Sequence, residues 1–144
     1  MRVTNIDTLS VLLDRLISEN IKLFFFEKSN ELDKIEHQQL VINEIKIKVT
    51  NLLDECTMAG KYDYIAEKRT FNSTDIVEEL EDLIVNDIIV GESDRGVLKQ
   101  ITSKTPNVDD LKIHGKRMRK ANEGRALNKN KIDLIFKNMI EGNE

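Results

Sequence analysis

One proline, one cysteine, six glycines and no tryptophan stand in this chain of 144 residues, with five Phe and two Tyr as its only aromatic rings. So few obligatory breaks and rings argue against a turn-rich sandwich or barrel. Period-two alternation is nearly absent as well: Ile45-Lys46-Ile47-Lys48-Val49 is the one clear run, and it lies inside a helical stripe. A lone Cys56 excludes an internal disulfide, and its place on an apolar stripe suits a small buried thiol. The longest run of large apolar residues is Leu23-Phe24-Phe25-Phe26, far too short to span a bilayer, and the N-terminus lacks the apolar core of a secretory signal. These absences point to a soluble, cytoplasmic, helical protein.

What the chain does contain is a three-four spacing of apolar residues in four stretches, roughly 5–28, 30–58, 73–103 and 106–141. The stripes are Ile6, Leu9, Leu13, Leu16, Asn20, Leu23; then Ile35, Gln38, Ile42, Ile45, Val49, Leu52, Cys56; then Ile76, Leu80, Leu83, Asp87, Val90, Asp94, Val97, Ile101; and last Val108, Leu111, Gly115, Met118, Asn122, Arg125, Lys129, Ile132, Phe136, Met139. Such spacing marks long helices packed along narrow seams. The chain is therefore read as one all-α domain over residues 1–144, made of two long antiparallel hairpins (about 5–58 and 73–141) joined by a crossover at 59–72. Together they form a four-helix bundle, or complete one by dimerisation.

Boundary signals agree with this division. The first helix is expected to start at Thr4 or Asn5, with Asp7 in its first turn. Lys28-Ser29-Asn30 offers a tight reversal, and Ala59-Gly60 a C-terminal stop. Tyr62, Tyr64, Ile65 and Phe71 make the crossover too apolar for a free linker, so it should cross one end of the bundle. Asn72, Ser73 and Thr74 offer caps for the third helix, with Asp75, Glu78 and Glu79 in its first turns. Thr105-Pro106 reads as the start of the fourth, because proline suits the first helical position. Gly91 and Gly96 weaken the third helix, and the polar middle of the fourth admits a break near Asn122–Gly124 or at Asn128.

Polar residues interrupt every seam. Asn20 and Gln38 each lie nine residues from the first turn, so they are expected to face one another as a register-setting amide pair. By the same count about Thr105, Asp87 meets Asn122 or Arg125, and Asp94 falls opposite Gly115 and Met118, in reach of Arg119. Asn20, Gln38 and Asp94 are then expected in one layer. Buried carboxylates demand partners, so Asp87, Asp94, Asn122 and Arg125 form either structural salt bridges or a polar pocket in the bundle core.

No known chemistry is written in the chain. There is no Glu-x-x-His pair for a di-metal bundle; His37 faces solvent and His114 has no companion ligand, so neither a metal nor any other cofactor is expected. Gly91–Gly96 lacks the lysine of a phosphate-binding loop. Glu78, Glu81 and Asp82 form an acidic face, read as solvated. The net charge is −4, yet residues 112–144 hold nine Lys or Arg against four Asp or Glu, leaving −9 for the rest. Within that segment Lys112, Lys116, Arg117, Arg119 and Lys120 are candidate anion-binding residues. Phe25 and Phe26 project from the polar side of the first helix, as packing residues or as a partner surface. The leading expectation is a non-enzymatic helical protein that binds a protein partner or a second copy. A nucleic-acid-associated protein using 112–131 is the alternative, and a small-molecule binder or enzyme with a polar core site is the third. No membrane insertion is expected.

Overall fold

The computed structural model describes residues 7–64 and 75–142. They form four helices: α1 (Leu9–Lys28), α2 (Leu32–Ala59), α3 (Ile76–Thr102) and α4 (Val108–Glu141), with no strand among the described residues. The architecture is all-α, two antiparallel hairpins packed as a four-helix bundle. No helix of the described residues is long and apolar enough to cross a membrane.

The helix ends follow from local chemistry. Thr8 caps α1 by accepting from the Val11 N–H, so Asp7 stands before the helix and not in its first turn; it lies 3.7 Å from both Arg15 and Lys48. Thr4 and Asn5 lie outside the described residues. Asn30 turns the chain into α2 with φ of 55°, and Gly60 closes α2 with φ of 66°, each in the left-handed region that Asn and Gly tolerate best. Asp75 caps α3 through the Val77 and Glu78 amides; Asn72, Ser73 and Thr74 are outside the described residues. Asn107, not Thr105, caps α4, because its side chain takes both the Asp109 and Asp110 amides while its own N–H donates to Gln100 Oε1 at 2.8 Å. Pro106 thus precedes the cap. Both α3, through Gly91 and Gly96, and α4 are continuous.

The hairpins meet unequally. Each is a long two-helix seam, and α1 lies against both α3 and α4. In contrast, α2 packs along α1 alone. It reaches the second hairpin only at the end away from the turns, where Leu9, Cys56, Tyr62 and Phe136 form a buried cluster flanked by Leu13, Val49, Leu52, Ile76 and Ile140. Both turns therefore lie at the opposite end. Residues 61–64 cross the closed end as expected; Ile65 and Phe71 are outside the described residues.

At this end Asp133 of α4 organises the start of α1. It accepts from the Ser10 amide (3.0 Å), the Ser10 hydroxyl and the Tyr62 hydroxyl (2.8 Å), while Tyr62 Oη accepts from the Leu9 amide at 2.8 Å. Burial, reinforced by the Asp133 charge, raises the Tyr62 pKa, so the phenol stays a donor. A carboxylate at a helix N-terminus also meets its partial positive charge. Tyr62→Phe removes one donor and one acceptor from this buried network and should cost about 1–3 kcal/mol in urea unfolding. A loss below a few tenths would show the network to be solvated.

The expected seam pairs divide. Gln38 is buried but donates to the Glu19 carbonyl oxygen (2.9 Å) and to the Glu19 carboxylate, while the exposed Asn20 donates to the Leu16 carbonyl of its own helix at 2.7 Å. The Asn20–Gln38 pair is not formed. The turn was placed within one residue, but one residue is about 100° of helix rotation, which exchanges Asn20 for Glu19. Asp94 is also exposed, so Asn20, Gln38 and Asp94 do not form a buried polar layer. In the second hairpin Gln100–Asp110, Gly96–His114 and Asp87–Arg125 are each symmetric about residues 105–106, and Asp87 does meet Arg125.

Candidate functional site

Two features converge on α1: a buried charge cluster beneath it, and an open groove along each of its flanks. The cluster draws one residue from each of three helices. Arg125 of α4 donates to Asp14 of α1 through Nη2 (2.7 Å) and Nε (3.4 Å), and through Nη1 to Asn122 at 2.9 Å. Its Nε lies 2.6 Å from Asp87 Oδ1 of α3, yet the N–H is aimed at Asp14, so neither Asp87 oxygen accepts a hydrogen bond from it. Lys129 Nζ stands 3.8 Å from Asp14.

Two carboxyls about one guanidinium cannot both ionise freely. Burial, then the hydrogen bond and charge of Asp14, push the Asp87 pKa up to about 8. Burial acts to raise Asp14 too, but the bonds from Arg125 and Asp87 and the charges of Arg125 and Lys129 outweigh it, and its pKa is lowered. The two carboxyls thus titrate as a pair, with the neutral form favoured at Asp87 and the ionised form at Asp14. The arrangement joins α1 to the second hairpin by charge and hydrogen bonding within a mostly buried site.

Asp14 was not among the residues expected here. Its signal was a second stripe on α1, Ser10, Asp14, Ile21 and Phe25, one position round from the apolar one. Ser10 and Asp14 are buried against α4, and Ile21 and Phe25 line both grooves. A further buried chain, also missed, runs Asn86 Nδ2 to Asn128 Oδ1 (2.8 Å) and Asn128 Nδ2 to Glu79 Oε2 (2.9 Å), with Lys131 Nζ 3.5 Å from Glu79. The basic segment 112–131 is therefore split by the fold. Arg125, Lys129 and Lys131 turn inward to Asp14, Asp87 and Glu79. Lys112, Lys116, Arg117, Arg119 and Lys120 remain exposed, with Arg117 3.7 Å from Glu92. Among the described residues no His, Cys, Asp or Glu group is placed to hold a metal ion.

No protein-family model, curated protein or solved structure matches the chain.

The first groove, about 550 Å³, lies where α1 crosses α3 and α4. Asp87 and Arg125 line it together with Ile21, Phe25, Val90 and Met118, and Asp94 and Lys28 also border it. The second, about 560 Å³, runs between α1 and α3 on the other flank. Leu16, Ile17, Asn20, Ile21 and Phe24 face Ile84 and Ile88 across it, with Glu92 and Arg95 also lining it. Arg95 separates the grooves, its guanidinium carbon 3.5 Å from the Phe25 ring centroid. Phe25 thus packs toward the second hairpin, the packing role that was one of its two expected readings, while Phe24 is 58% exposed. Leu16 and Asn20 of the expected α1 stripe thus line an open groove, with Ile17 and Phe24 beside them.

Proposed function

We propose that the chain is a cytoplasmic, non-enzymatic interaction module that receives a helix of a protein partner in the groove between α1 and α3. The observation that carries this reading is the one-sided docking of α2. Because α2 packs along α1 alone, the α1–α3 corner lacks the fourth wall that a closed bundle would supply. Phe24, Ile84 and Ile88 stay exposed there at 58%, 37% and 42%, beside the half-buried Leu16 and Ile17. A contiguous apolar furrow between two parallel helices is the form in which helix-in-groove recognition is built.

The test is binding of helical peptides with and without apolar groove residues. Ile84→Glu with Ile88→Glu should abolish binding while leaving the helical circular dichroism and melting temperature within error, since both side chains are exposed. Binding that survives the double substitution would place the interface elsewhere. The nucleic-acid reading rests on the exposed Lys112, Lys116, Arg119 and Lys120 alone; charge without stacking aromatics supports it less well.

A further inference from the structure

From the groove where α1 crosses α3 and α4 we infer a binding site for a small organic anion: a carboxylate with an aliphatic body, its head on Arg125 and its body along Ile21, Phe25, Val90 and Met118. The site lies on the other flank of α1 from the helix-binding groove and does not rest on that reading.

This groove has three walls. Ile21 and Phe25 come from α1, Asp87 and Val90 from α3, and Met118 and Arg125 from α4. Its four apolar side chains are half-buried, so the crossing helices leave apolar surface uncovered between them. A volume of about 550 Å³ suits a small molecule, whose sites pair apolar walls with a few convergent polar groups. Here the polar groups lie at the floor. A guanidinium carries five N–H donors. Arg125 gives two to Asp14 and one to Asn122, so two meet no acceptor among the described residues, on a side chain 23% exposed. Asp87 does not take them, since both its oxygens are buried without a hydrogen bond.

The sign of the ligand follows from the charges that face the site. On the walls Lys22, Lys28 and Arg95 stand against Asp94 and against Glu19, which holds Lys22 at 3.1 Å, so one cation is in excess. Glu92 lies on the other flank and is met by Arg117 at 3.7 Å. At the floor Arg125 and Lys129 face Asp14 and Asp87. These four balance when both carboxyls are ionised, but burial, and then Asp14, favour the neutral form of Asp87. The floor then carries an uncancelled positive charge beneath an apolar cleft. A carboxylate there accepts charge-assisted hydrogen bonds where water competes poorly. An ammonium would instead meet the guanidinium, and a neutral head gains nothing from the charge.

The test is isothermal titration calorimetry of the full chain with decanoate, decanamide and decylammonium, probes of one chain length that differ in the charge of the head. Decanoate should bind at least about tenfold more tightly than either of the others. Val90→Trp and, from the α4 wall, Met118→Trp each fill the cleft and alter no charged residue; both should abolish binding with the helical circular dichroism unchanged. Ile84→Glu with Ile88→Glu, on the other flank, should leave it intact. Substituting Arg125 unsettles the fold, so the head is tested through its neighbour. Decanoate affinity should fall about tenfold between about pH 7 and pH 9, following the fraction of chains in which Asp87 is neutral, and should stay level in Asp87→Asn. Equal binding of decanoate and decanamide, or one pH profile shared by both proteins, would show that the head charge is not read and overturn the inference. Tighter binding of decylammonium would reverse the sign and overturn it as well. No binding of any probe, or binding that survives both tryptophan variants, means that the groove is not the site.

Discussion

Arg125→Ala is expected to cost about 3–5 kcal/mol, the largest loss of any single side chain outside the apolar core. The guanidinium bridges Asp14 and Asp87, whose side chains are 9% and 2% exposed. Removing it strands the Asp14 carboxylate with Lys129 at 3.8 Å as its nearest cation. It also frees Asn122, which accepts one of the guanidinium N–H groups. Much of this cost is the penalty of an unpaired buried charge, not the net worth of the pair, so the double variant Asp14→Asn with Arg125→Met should recover a good part of it. Equilibrium urea unfolding measures both. A loss for Arg125→Ala below about 1 kcal/mol would mean that water already reaches the cluster. The site matters beyond stability, because α1 forms one wall of each groove. A loosened α1 should weaken helix binding together with the fold.

How far the chain could be read in advance depends on what kind of information each feature needed. Helix existence and hairpin pairing rest on local periodicity, and four three-four stripes divided by Ser29-Asn30, Gly60 and the Pro106 region are enough for that. Asp87 and Arg125 could be matched across a seam because one turn fixes the level of every pair in its hairpin. Facing is a stricter demand. Gln38 found Glu19 in place of Asn20 because a single residue of offset turns a helix by about 100°. Contacts between the hairpins were less accessible still. No local signal states that α2 would pack on α1 alone, nor that Asp14 would enter the Arg125 cluster or Asp133 would cap α1. Those contacts join residues 111 and 123 positions apart in the chain, and only the docking of one finished hairpin on the other creates them. The α1 stripe shows the same limit from the other side: Leu9 and Leu13 enter the buried cluster while Leu16 and Asn20 line the open groove, and periodicity does not tell a filled seam from an empty one.

The second large effect concerns pH. Asp87 ionises at 3.8 when the chain is unfolded, and its pKa is pushed up to about 8 in the fold. Between those values the folded state holds a proton that the unfolded state has released, so stability falls as pH rises from about 4 to about 8 and then levels. Asp14 acts in the opposite sense. Its lowered pKa supplies stability that is present above its unfolded value and lost as pH falls through the folded one. The two together place the optimum in mildly acidic solution. Asp87→Asn keeps the shape of the protonated acid and cannot ionise, so it should match the natural chain at or below about pH 4 and lead it increasingly above that, by roughly 1–3 kcal/mol near pH 9. Urea unfolding at about pH 5, 7 and 9 reads the difference directly. Parallel pH profiles for the two proteins would show that Asp87 is ionised throughout, with Arg125 and Lys129 balancing both carboxylates. The loss at high pH should also appear first in α1, since ionised Asp87 repels Asp14 across the polar cluster that joins α1 to both α3 and α4. Amide exchange along Ser10–Phe25 that quickens above about pH 8, and stays slow in Asp87→Asn, is the local form of the same result.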